Sequence, residues 1–313
     1  MNVAAVPCDF DPTYGALVPW LYHRRRLAER GIRIEVLPPD DAFSRPHDAM
    51  IPMAWLDWDN PRRFAADRVM PFLEQYSAYR ARYPDVRQIV CNHVDMARRP
   101  YALPYWRKGD PILSRTPPYD RAELAPFPAE DVCAYECVMG KPVFASDEPP
   151  QFRAGFIGVP SGPEGYRARV AAETAKVGVG LCQSRPIPNA MYRKLLGGCE
   201  ILVCPRGWGG QSLRHWDAWK SGKPVLTDRE CAGLEMIPGV RLLDGVHYLV
   251  FGEPAEIPDI VADWTRPSRR DDLKAIAENG RRAAESYDAL ALMTRFFRRV
   301  VGALGAEDAP DVS

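Results

Sequence analysis

The sequence lacks an excess of charge of either sign. Its 41 Lys and Arg residues balance 41 Asp and Glu residues, so the formal net charge at pH 7 is zero. A protein without a global electrostatic field does not hold nucleic acid or an anionic membrane through its overall charge. Nucleic acid is therefore not expected as a partner, and an anionic ligand must be bound by a local patch.

Long apolar runs are missing as well. No stretch approaches the roughly 20 apolar residues that span a bilayer, and the first residues lack the basic and apolar regions of a secretory signal. These absences predict a cytoplasmic protein. Two basic runs with aromatic residues, 23–26 and 294–299, are compatible with peripheral contact with an anionic lipid surface. The alternative for both is a solvent-exposed helix face.

The eight cysteines include no C-x-x-C pair. Cysteines at that spacing are the usual mark of a structural zinc site, so no zinc is expected. Most of the cysteines lie in apolar, strand-like runs, where a thiol behaves as a small buried hydrophobic group.

The length and the pattern of the chain predict two domains. A chain of 313 residues is long enough for two cores of roughly 150 residues each. Strand-like and helix-like segments alternate, except in a stretch rich in Pro, Arg and aromatic residues at 97–150. We therefore predict an N-terminal domain of residues 1–150, a C-terminal domain of residues 151–304 and a flexible tail of residues 305–313.

The C-terminal half is the more regular of the two. Seven segments alternate strictly between strand and helix, in the order FRAGFIGVP, GYRARVAAETAK, VGVGLCQ, NAMYRKLLGG, EILVCPRG, QSLRHWDAWKSG and KPVLTD. Such alternation predicts a parallel sheet with helices on both faces. The N-terminal half shows the same pattern less regularly. Strands are predicted in NVAAVP, IRIEVLPP, AMIPMAWLDWD and QIVCNHVDM. One helix is predicted between the first two of these strands and another between the last two.

A glycine-rich turn separates the strand that ends at Cys204 from the next helix. Gly207, Gly209 and Gly210 leave room for the close approach of an anion, and Ser212 is a suitable capping residue for the helix. The unpaired amides and the positive dipole end of that helix favour a phosphate group.

Two charged residues of the same helix extend this pattern. Arg214 and Asp217 are three residues apart and share one helix face, where a guanidinium can bind a diphosphate and a carboxylate can accept hydrogen bonds from ribose hydroxyls. The alternative is a surface ion pair worth about 0.2–0.5 kcal/mol. His215 could contact the base or the sugar of a nucleotide, but it is expected to be structural. Arg167 and Arg169 are expected on a solvent-exposed helix face, and together with Arg153 they are the weaker candidates for the diphosphate.

From residue 152 to residue 300 the sequence resembles the C-terminal domain of GT-B glycosyltransferases, especially exostosin-like enzymes and the spore-maturation type. Six pieces in register carry the resemblance, namely FRAGFIG, YRKLLGGCEILVCPRG, the Ser212-x-Arg214-x-x-Asp217 core, GKPVLTD, DGVHYLVFGEPAEIPDIV and IAENGRRAAESYDALALMTRFFRRVV. In these families the position of Asp217 is usually Glu, so the carboxylate is retained here.

The resemblance implies a GT-B fold, in which two Rossmann-like α/β domains with parallel sheets face a central cleft. It further implies that Gly158 lets a nucleotide-sugar donor approach, and that Arg206 and Arg214 hold the diphosphate of that donor. In GT-B proteins the last helix often crosses back to the first domain, which would place Phe296 and Phe297 of this chain against the N-terminal sheet.

No cofactor besides the donor, and no metal, is expected, because the arginines and the helix terminus would stabilise the leaving diphosphate. Two Asp-x-Asp triplets, 9–11 and 57–59, are of the kind that binds a metal in the GT-A fold, but so short a motif arises often by chance.

An inverting mechanism would need a general base beside the acceptor hydroxyl, and in GT-B enzymes this base comes from loops of the N-terminal domain. His93 and Asp95 are the candidates at the end of the QIVCNHVDM strand, and Asp9 and Asp11 are their rivals. Each of these side chains has an alternative role as a turn or helix cap. A retaining enzyme would need no such base.

The expected function is metal-independent transfer of a sugar from a nucleotide-diphosphate sugar to a hydroxyl of a glycan, a lipid-linked glycan or a small molecule. Two alternatives stay open. One is a nucleotide-sugar epimerase of the same architecture, and the other is a catalytically silent module that binds a nucleotide sugar or a glycan.

Overall fold

The computed structural model describes most of the chain, namely residues 1–7, 18–53, 66–92, 112–114, 132–134, 144, 149–160, 165–185, 187–207, 213–233, 236–237 and 240–300. The strands in these ranges form parallel sheets of four, five and three strands. The four-stranded and three-stranded sheets precede residue 150 in the sequence, and the five-stranded sheet follows it. The exact domain boundary stays a prediction.

The N-terminal sheet has the strand order β2-β1-β3-β4. Its strands are β1 (Asn2–Pro7), β2 (Arg33–Val36), β3 (Ala49–Met53) and β4 (Arg87–Gln88). In β1, the side chains from Val3 to Val6 are all buried, as a continuous apolar run requires when both faces of a sheet are covered.

The described part of this half contains three helices, namely α1 (Val18–Glu29), α2 (Pro39–Phe43) and α3 (Ala66–Arg82). α1 connects β1 to β2 and α3 connects β3 to β4, so the predicted βαβ units are confirmed. The short α2 was missed. It begins at a proline with two acidic residues in its first turn, which suits a helix start, but five residues give no readable periodicity.

The predicted strand QIVCNHVDM is divided in the structure. β4 ends at Gln88, and β5 (Val90–Asn92) begins after Ile89, whose N–H donates to the Met50 carbonyl at 2.8 Å. β5 pairs in parallel with β6 (Ile112–Ser114), and β6 pairs with β7 (Val132–Ala134).

The C-terminal sheet has the strand order β12-β11-β10-β8-β9. Its strands are β8 (Phe152–Gly158), β9 (Gly178–Cys182), β10 (Cys199–Cys204), β11 (Val225–Asp228) and β12 (Leu249–Phe251). The helices after them are α4 (Tyr166–Ala175), α5 (Asn189–Gly197), α6 (Leu213–Lys220), α7 (Arg229–Ala232), α8 (Ile257–Trp264), α9 (Arg270–Ser286) and α10 (Ala289–Val300). The seven predicted alternating elements are all present, and their parallel pairing is confirmed.

The order of the strands fixes where a ligand fits. From β8 the chain moves to β9 on one side, and it then returns to β10 on the other side. In an open parallel sheet such a reversal leaves a crevice at the carboxyl ends of the two strands. The crevice therefore lies between the end of β8, at Gly158, and the end of β10, at Cys204.

The apolar face of α6 anchors that helix beneath the crevice. Trp216 and Trp219 are both buried, and their rings meet nearly edge to face at 6.1 Å. α9 approaches closely because Gly280 lacks a side chain, since a Cβ there would lie 2.5 Å from Trp219 Cδ1. The two tryptophans thus pack on a different face of α6 from the one that carries Arg214 and Asp217.

The last helix returns to the N-terminal sheet, as the resemblance implied. Phe296 and Phe297 of α10 are buried in one core cluster with residues of β1, β2 and β3. A polar contact supports this packing, since Arg30 Nη1 donates to Thr294 Oγ1 at 3.1 Å. Among the helices in the described ranges, none is both long and apolar enough to cross a membrane.

Candidate functional site

Arg214 of α6 reaches the carboxyl end of β8. Its Nη2 donates to the Ile157 carbonyl at 2.7 Å, and its guanidinium carbon lies 5.0 Å from the Phe156 ring centroid. A Cβ on Gly158 would lie 2.7 Å from the Phe156 ring and 3.4 Å from Arg214 Nη2. Gly158 therefore leaves room for the Phe156 ring, on which the guanidinium lies.

The Arg214 guanidinium retains donor capacity. Its Nε and Nη1 atoms are buried and have no hydrogen-bond partner in the part of the chain that the structure describes. The Tyr192 hydroxyl lies near this guanidinium. Burial raises the pKa of Tyr192, although the positive charge of Arg214 and a hydrogen bond with it act in the opposite direction. Because buried polar groups are almost always hydrogen-bonded, two unpaired guanidinium nitrogens indicate a site for an acceptor from outside these residues.

Asp217 lies one turn further along α6 and is half-buried. Burial raises its pKa to about 6, although the positive charges of Arg214, Lys220 and Arg193 act in the opposite direction. Among the described residues no ion pair joins Asp217 to Arg214, because the guanidinium turns towards the β8 carbonyl instead. The alternative of a surface ion pair between these two residues is therefore wrong.

The backbone of Arg206 is held at both of its polar groups. Its N–H donates to Asp228 Oδ2 at 2.7 Å, and its carbonyl accepts a bond from Arg167 Nε at 2.9 Å. The other oxygen of Asp228 accepts from the Cys231 N–H at 3.0 Å and so caps α7. One buried carboxylate thus ties the end of β10 to the end of β11.

The side chain of Arg206 is engaged within the protein. Its guanidinium carbon lies 4.6 Å from the Tyr166 ring centroid, and Nη1 forms an ion pair with Glu230. Burial raises the pKa of Tyr166, so its ring remains a neutral platform for the cation. Arg206 lies at the same sheet edge as Arg214, but with a carboxylate partner already in place.

Arg167 is only 8% exposed, so the expectation of a solvent-exposed position was wrong. It lies in the first turn of α4, and its guanidinium packs against the chain after β10, where a Cβ on Gly207 would lie 2.6 Å from Arg167 Nη2. Helical spacing could not reveal this, because the neighbour that buries Arg167 belongs to a loop 40 residues away. Arg169, by contrast, is exposed as expected.

His215 is structural, as expected. It is fully buried, and its Nε2 lies 2.9 Å from Thr227 Oγ1. The Thr227 hydroxyl donates to the Cys204 carbonyl at 2.9 Å, so His215 Nε2 serves as the donor to the hydroxyl. The pair links α6, β10 and β11 beneath the crevice.

The structure brings together five of the predicted site residues at the carboxyl edge of the C-terminal sheet, namely Gly158, Arg206, Gly207, Arg214 and Asp217. The others lie outside the described residues, and their roles stay predictions, namely Asp11, His93, Asp95, Gly209, Gly210 and Ser212. Asp9 and the triplet at 57–59 lie outside them as well. Within the described ranges, no group of three or more His, Cys, Asp and Glu side chains is arranged to hold a metal ion.

Sequence reasoning missed three side chains around the crevice, namely Tyr166, Tyr192 and Glu230, and it expected Arg167 to be exposed. Each contacts its arginine or loop across a distance of many residues, so no local spacing indicates it. The glycine at position 207 was the available signal, since a glycine directly after a strand often marks the close approach of another group.

These features define the class of the fold. Two parallel α/β sheets, each with a strand-order reversal, and a last helix that returns to the first sheet form a GT-B fold. No family model matches the chain, and no curated protein matches its sequence. The fold is instead shared with solved structures.

Three such structures illustrate the likeness. Sucrose-phosphate synthase Tll1590 from Thermosynechococcus elongatus has a TM-score of 0.61 at 10% identity, covering 97% of this chain and 100% of that chain. Anabaena Alr3699/HepE in complex with UDP-glucose has a TM-score of 0.53 at 10% identity, with coverages of 97% and 100%. An alpha-glucosyltransferase in complex with UDP and a 13-mer DNA containing a HMU base has a TM-score of 0.57 at 9% identity, with coverages of 96% and 99%.

Proposed function

We propose that this protein is a glycosyltransferase that moves a sugar from a nucleotide-diphosphate sugar to a hydroxyl of a glycan, a lipid-linked glycan or a small molecule. One observation carries the proposal. At the crevice between β8 and β10, Arg214 presents two buried guanidinium nitrogens that are unpaired among the described residues, beside the half-buried carboxyl of Asp217.

The two side chains suit the two parts of a nucleotide diphosphate. Within the described ranges the guanidinium has two unpaired nitrogens that can bind the diphosphate, and the carboxylate has no ion pair and can accept bonds from two ribose hydroxyls. Gly158 keeps the end of β8 free of a side chain. HepE and the alpha-glucosyltransferase, which share the fold, are in complex with UDP-glucose and UDP, so uridine nucleotides are the first probes to use.

The chemistry follows from where charge develops. As the bond to the sugar breaks, negative charge accumulates on the leaving diphosphate, and Arg214 together with the amides at the start of α6 would stabilise it without a metal. Arg206 would contribute once its ion pair with Glu230 opens. In an inverting enzyme, His93 or Asp95, or else Asp9 or Asp11, would accept the proton of the acceptor hydroxyl.

Further expectations from the sequence remain part of the proposal. The chain would belong with exostosin-like or spore-maturation-type enzymes and would work in the cytoplasm. The exposed arginines of the two basic runs, at 24–26, 295 and 298, would allow peripheral contact with a membrane that carries a lipid-linked acceptor, whereas Phe296 and Phe297 are buried and would take no part. No nucleic acid is proposed as an acceptor, because the chain has no net positive charge to hold it.

A donor panel tests the proposal. Thermal unfolding with UDP-, GDP-, CMP- and dTDP-sugars identifies the ligand, because a ligand of the native state raises its stability. The products formed with that donor and a set of acceptors then decide between functions. A new glycoside supports the transferase, whereas an epimerised donor indicates an epimerase and binding without turnover indicates a silent module.

Chelation tests the metal-independent mechanism. Activity should persist in excess EDTA, because the cationic groups assigned to the diphosphate are side chains and helix amides. A complete loss that added Mg²⁺ or Mn²⁺ reverses would show that a metal bridges the donor, and it would return attention to the Asp-x-Asp triplets.

A further inference from the structure

Arg167 makes a contact that a solvated helix residue would not make. It lies in the first turn of α4, which follows β8, and donates its Nε to the carbonyl of Arg206, which follows β10. These are the two strands that flank the crevice. One side chain therefore links the segments that follow the two strands on either side of the crevice.

The chain at Arg206 is fixed by two opposed bonds. Asp228 holds the N–H and Arg167 holds the carbonyl, at 2.7 and 2.9 Å. In a trans peptide the carbonyl and the following N–H point in opposite directions, so fixing the Arg206 carbonyl also fixes the direction of the Gly207 N–H. The orientation of the first peptide of the glycine-rich turn thus depends on Arg167.

Gly207 is shaped to this contact. A Cβ at that position would lie 2.6 Å from Arg167 Nη2 and 3.1 Å from Arg167 Cζ. A side chain at residue 207 would therefore have to displace the Arg167 guanidinium from its position against the turn. Arg167 and Gly207 form a matched pair, in which the bulk of one requires the absence of bulk in the other.

We propose that Arg167 is a positioning residue for the nucleotide diphosphate. It holds the peptide between Arg206 and Gly207 in the orientation in which the Gly207 N–H can donate to the diphosphate. The role rests on the proposed function, because it concerns the donor site of that function. Arg167 acts through the backbone at residues 206 and 207, and it does not itself contact the diphosphate.

Nucleotide binding by folded variants tests this role. Arg167→Met keeps an unbranched stem and removes the donors, while Arg167→Lys keeps the charge but lacks the Nε donor. Both should raise the Kd for UDP, measured by calorimetry, by at least about 10-fold, as the loss of a charge-assisted hydrogen bond implies. Arg169→Ala is the matched control, because it removes an exposed guanidinium from the same helix, 5.9 Å from the ring of Tyr166. It should leave the Kd within about 2-fold of the native value.

The Lys variant separates positioning from direct contact. If it binds UDP as tightly as the native protein but has the thermal midpoint of Arg167→Met, the charge at this position contacts the phosphate and the positioning role is wrong. Native binding together with the native midpoint would mean that the ammonium has replaced the bond to the Arg206 carbonyl, which supports positioning. If both variants lose stability in thermal unfolding but bind UDP with the native Kd, the contact is only structural and the proposal is overturned.

A double-variant cycle tests the geometry without reference to activity. Gly207→Ala should lower the thermal midpoint of the native chain, because the new methyl meets the guanidinium, and it should lower the midpoint much less in the Arg167→Met background. Additive effects would contradict the matched pair. Should UDP and the other nucleotides fail to bind the native protein, the proposed function falls, and the cycle still decides whether Arg167 holds the turn.

Discussion

The two main sheets are wound in the same way but bury different kinds of side chain. In both, the first strand lies next to the second on one side and next to the third on the other, so each sheet has a reversal point. In the described part of the N-terminal half, the buried polar side chains are His23 and Gln88. Gln88 carries no charge, and burial lowers the pKa of His23, which favours its neutral form. The C-terminal half buries the full charges of Arg167 and Asp228 at its carboxyl edge.

The difference shows which half uses buried charge to hold its loops. Burying a charge is costly unless hydrogen bonds and opposite charges compensate it. Asp228 is compensated by two backbone N–H groups, and Arg167 by a backbone carbonyl. These charged groups hold loops at the sheet edge, whereas the N-terminal sheet is an apolar platform that α10 closes.

The largest expected effect concerns that platform. Phe297→Ala should destabilise the protein by about 3–5 kcal/mol, because it removes a fully buried aromatic ring from the core shared by α10 and the N-terminal sheet. Urea unfolding followed by circular dichroism measures the loss. Arg298→Ala is the control, since its side chain is exposed on the same helix.

The same variant sharpens the contrast between the halves. Protein that remains folded should bind UDP with the native Kd, because the nucleotide site belongs to the other sheet. A weaker Kd in the folded fraction would mean that α10 couples the N-terminal core to the donor site, and the two halves could not then be treated separately.

The next largest effect is expected at the charged edge. Arg214→Ala should lower kcat by about 100-fold to 1000-fold and should also weaken donor binding, because a contact to the leaving diphosphate strengthens as charge develops. Steady-state kinetics and donor titration measure the two effects. Lys194→Ala, which removes an exposed cation from α5, serves as the comparison. Native kcat and donor Kd in folded Arg214→Ala would remove the nucleotide site from α6.

A third expectation places chemistry, but not donor binding, in the N-terminal half. His93→Ala or Asp95→Asn should lower turnover by about 100-fold with donor affinity nearly intact, as the removal of a general base does. Near-native turnover in both variants would move the base to Asp9 or Asp11, or would indicate a retaining mechanism.

The fold was largely predictable because its signal is local. Strict alternation of strands and helices predicted every element from β8 to β11, and an apolar run predicted the buried β1. The five-residue α2 and the break at Ile89 were missed, because both are too short for a repeating hydrophobic pattern to be read in the sequence. Boundaries were predicted to within a few residues, as in α1.

The candidate site was predictable only where its residues share one helix. Arg214 and Asp217 could be assigned to one face from their spacing, but the direction in which Arg214 turns depends on the β8 carbonyl. The burial of Arg167 and the ion pair of Glu230 with Arg206 are contacts between loops that the fold brings together. Such contacts leave no periodic trace in the sequence.

The smallest expected effect is a pH dependence that comes from Asp217. Its pKa is about 6 in the native protein, above the value near 3.9 that an unfolded chain gives, because burial disfavours the carboxylate. The native state therefore binds the proton more readily than the unfolded state. As the pH falls from about 6 to about 4, the contribution of this group to the free energy of unfolding rises.

Donor affinity should change in the opposite direction. The carboxylate that accepts bonds from the ribose hydroxyls is lost on protonation, so the Kd for UDP-glucose should rise as the pH falls below about 6, by up to about 10-fold per pH unit. UDP-glucose is the better probe here, because the terminal phosphate of free UDP titrates with a pKa near 6 while the sugar-linked diphosphate does not. Asp217→Asn is the matched control, since it retains the shape without a titrating group, and its donor affinity and stability should both lack this pH dependence. Titration calorimetry and urea unfolding at pH 5, 6, 7 and 8 measure the two trends. Equal pH profiles for the native protein and the variant would show that Asp217 does not hold the ribose, and the assignment of the nucleoside to this helix face would be wrong.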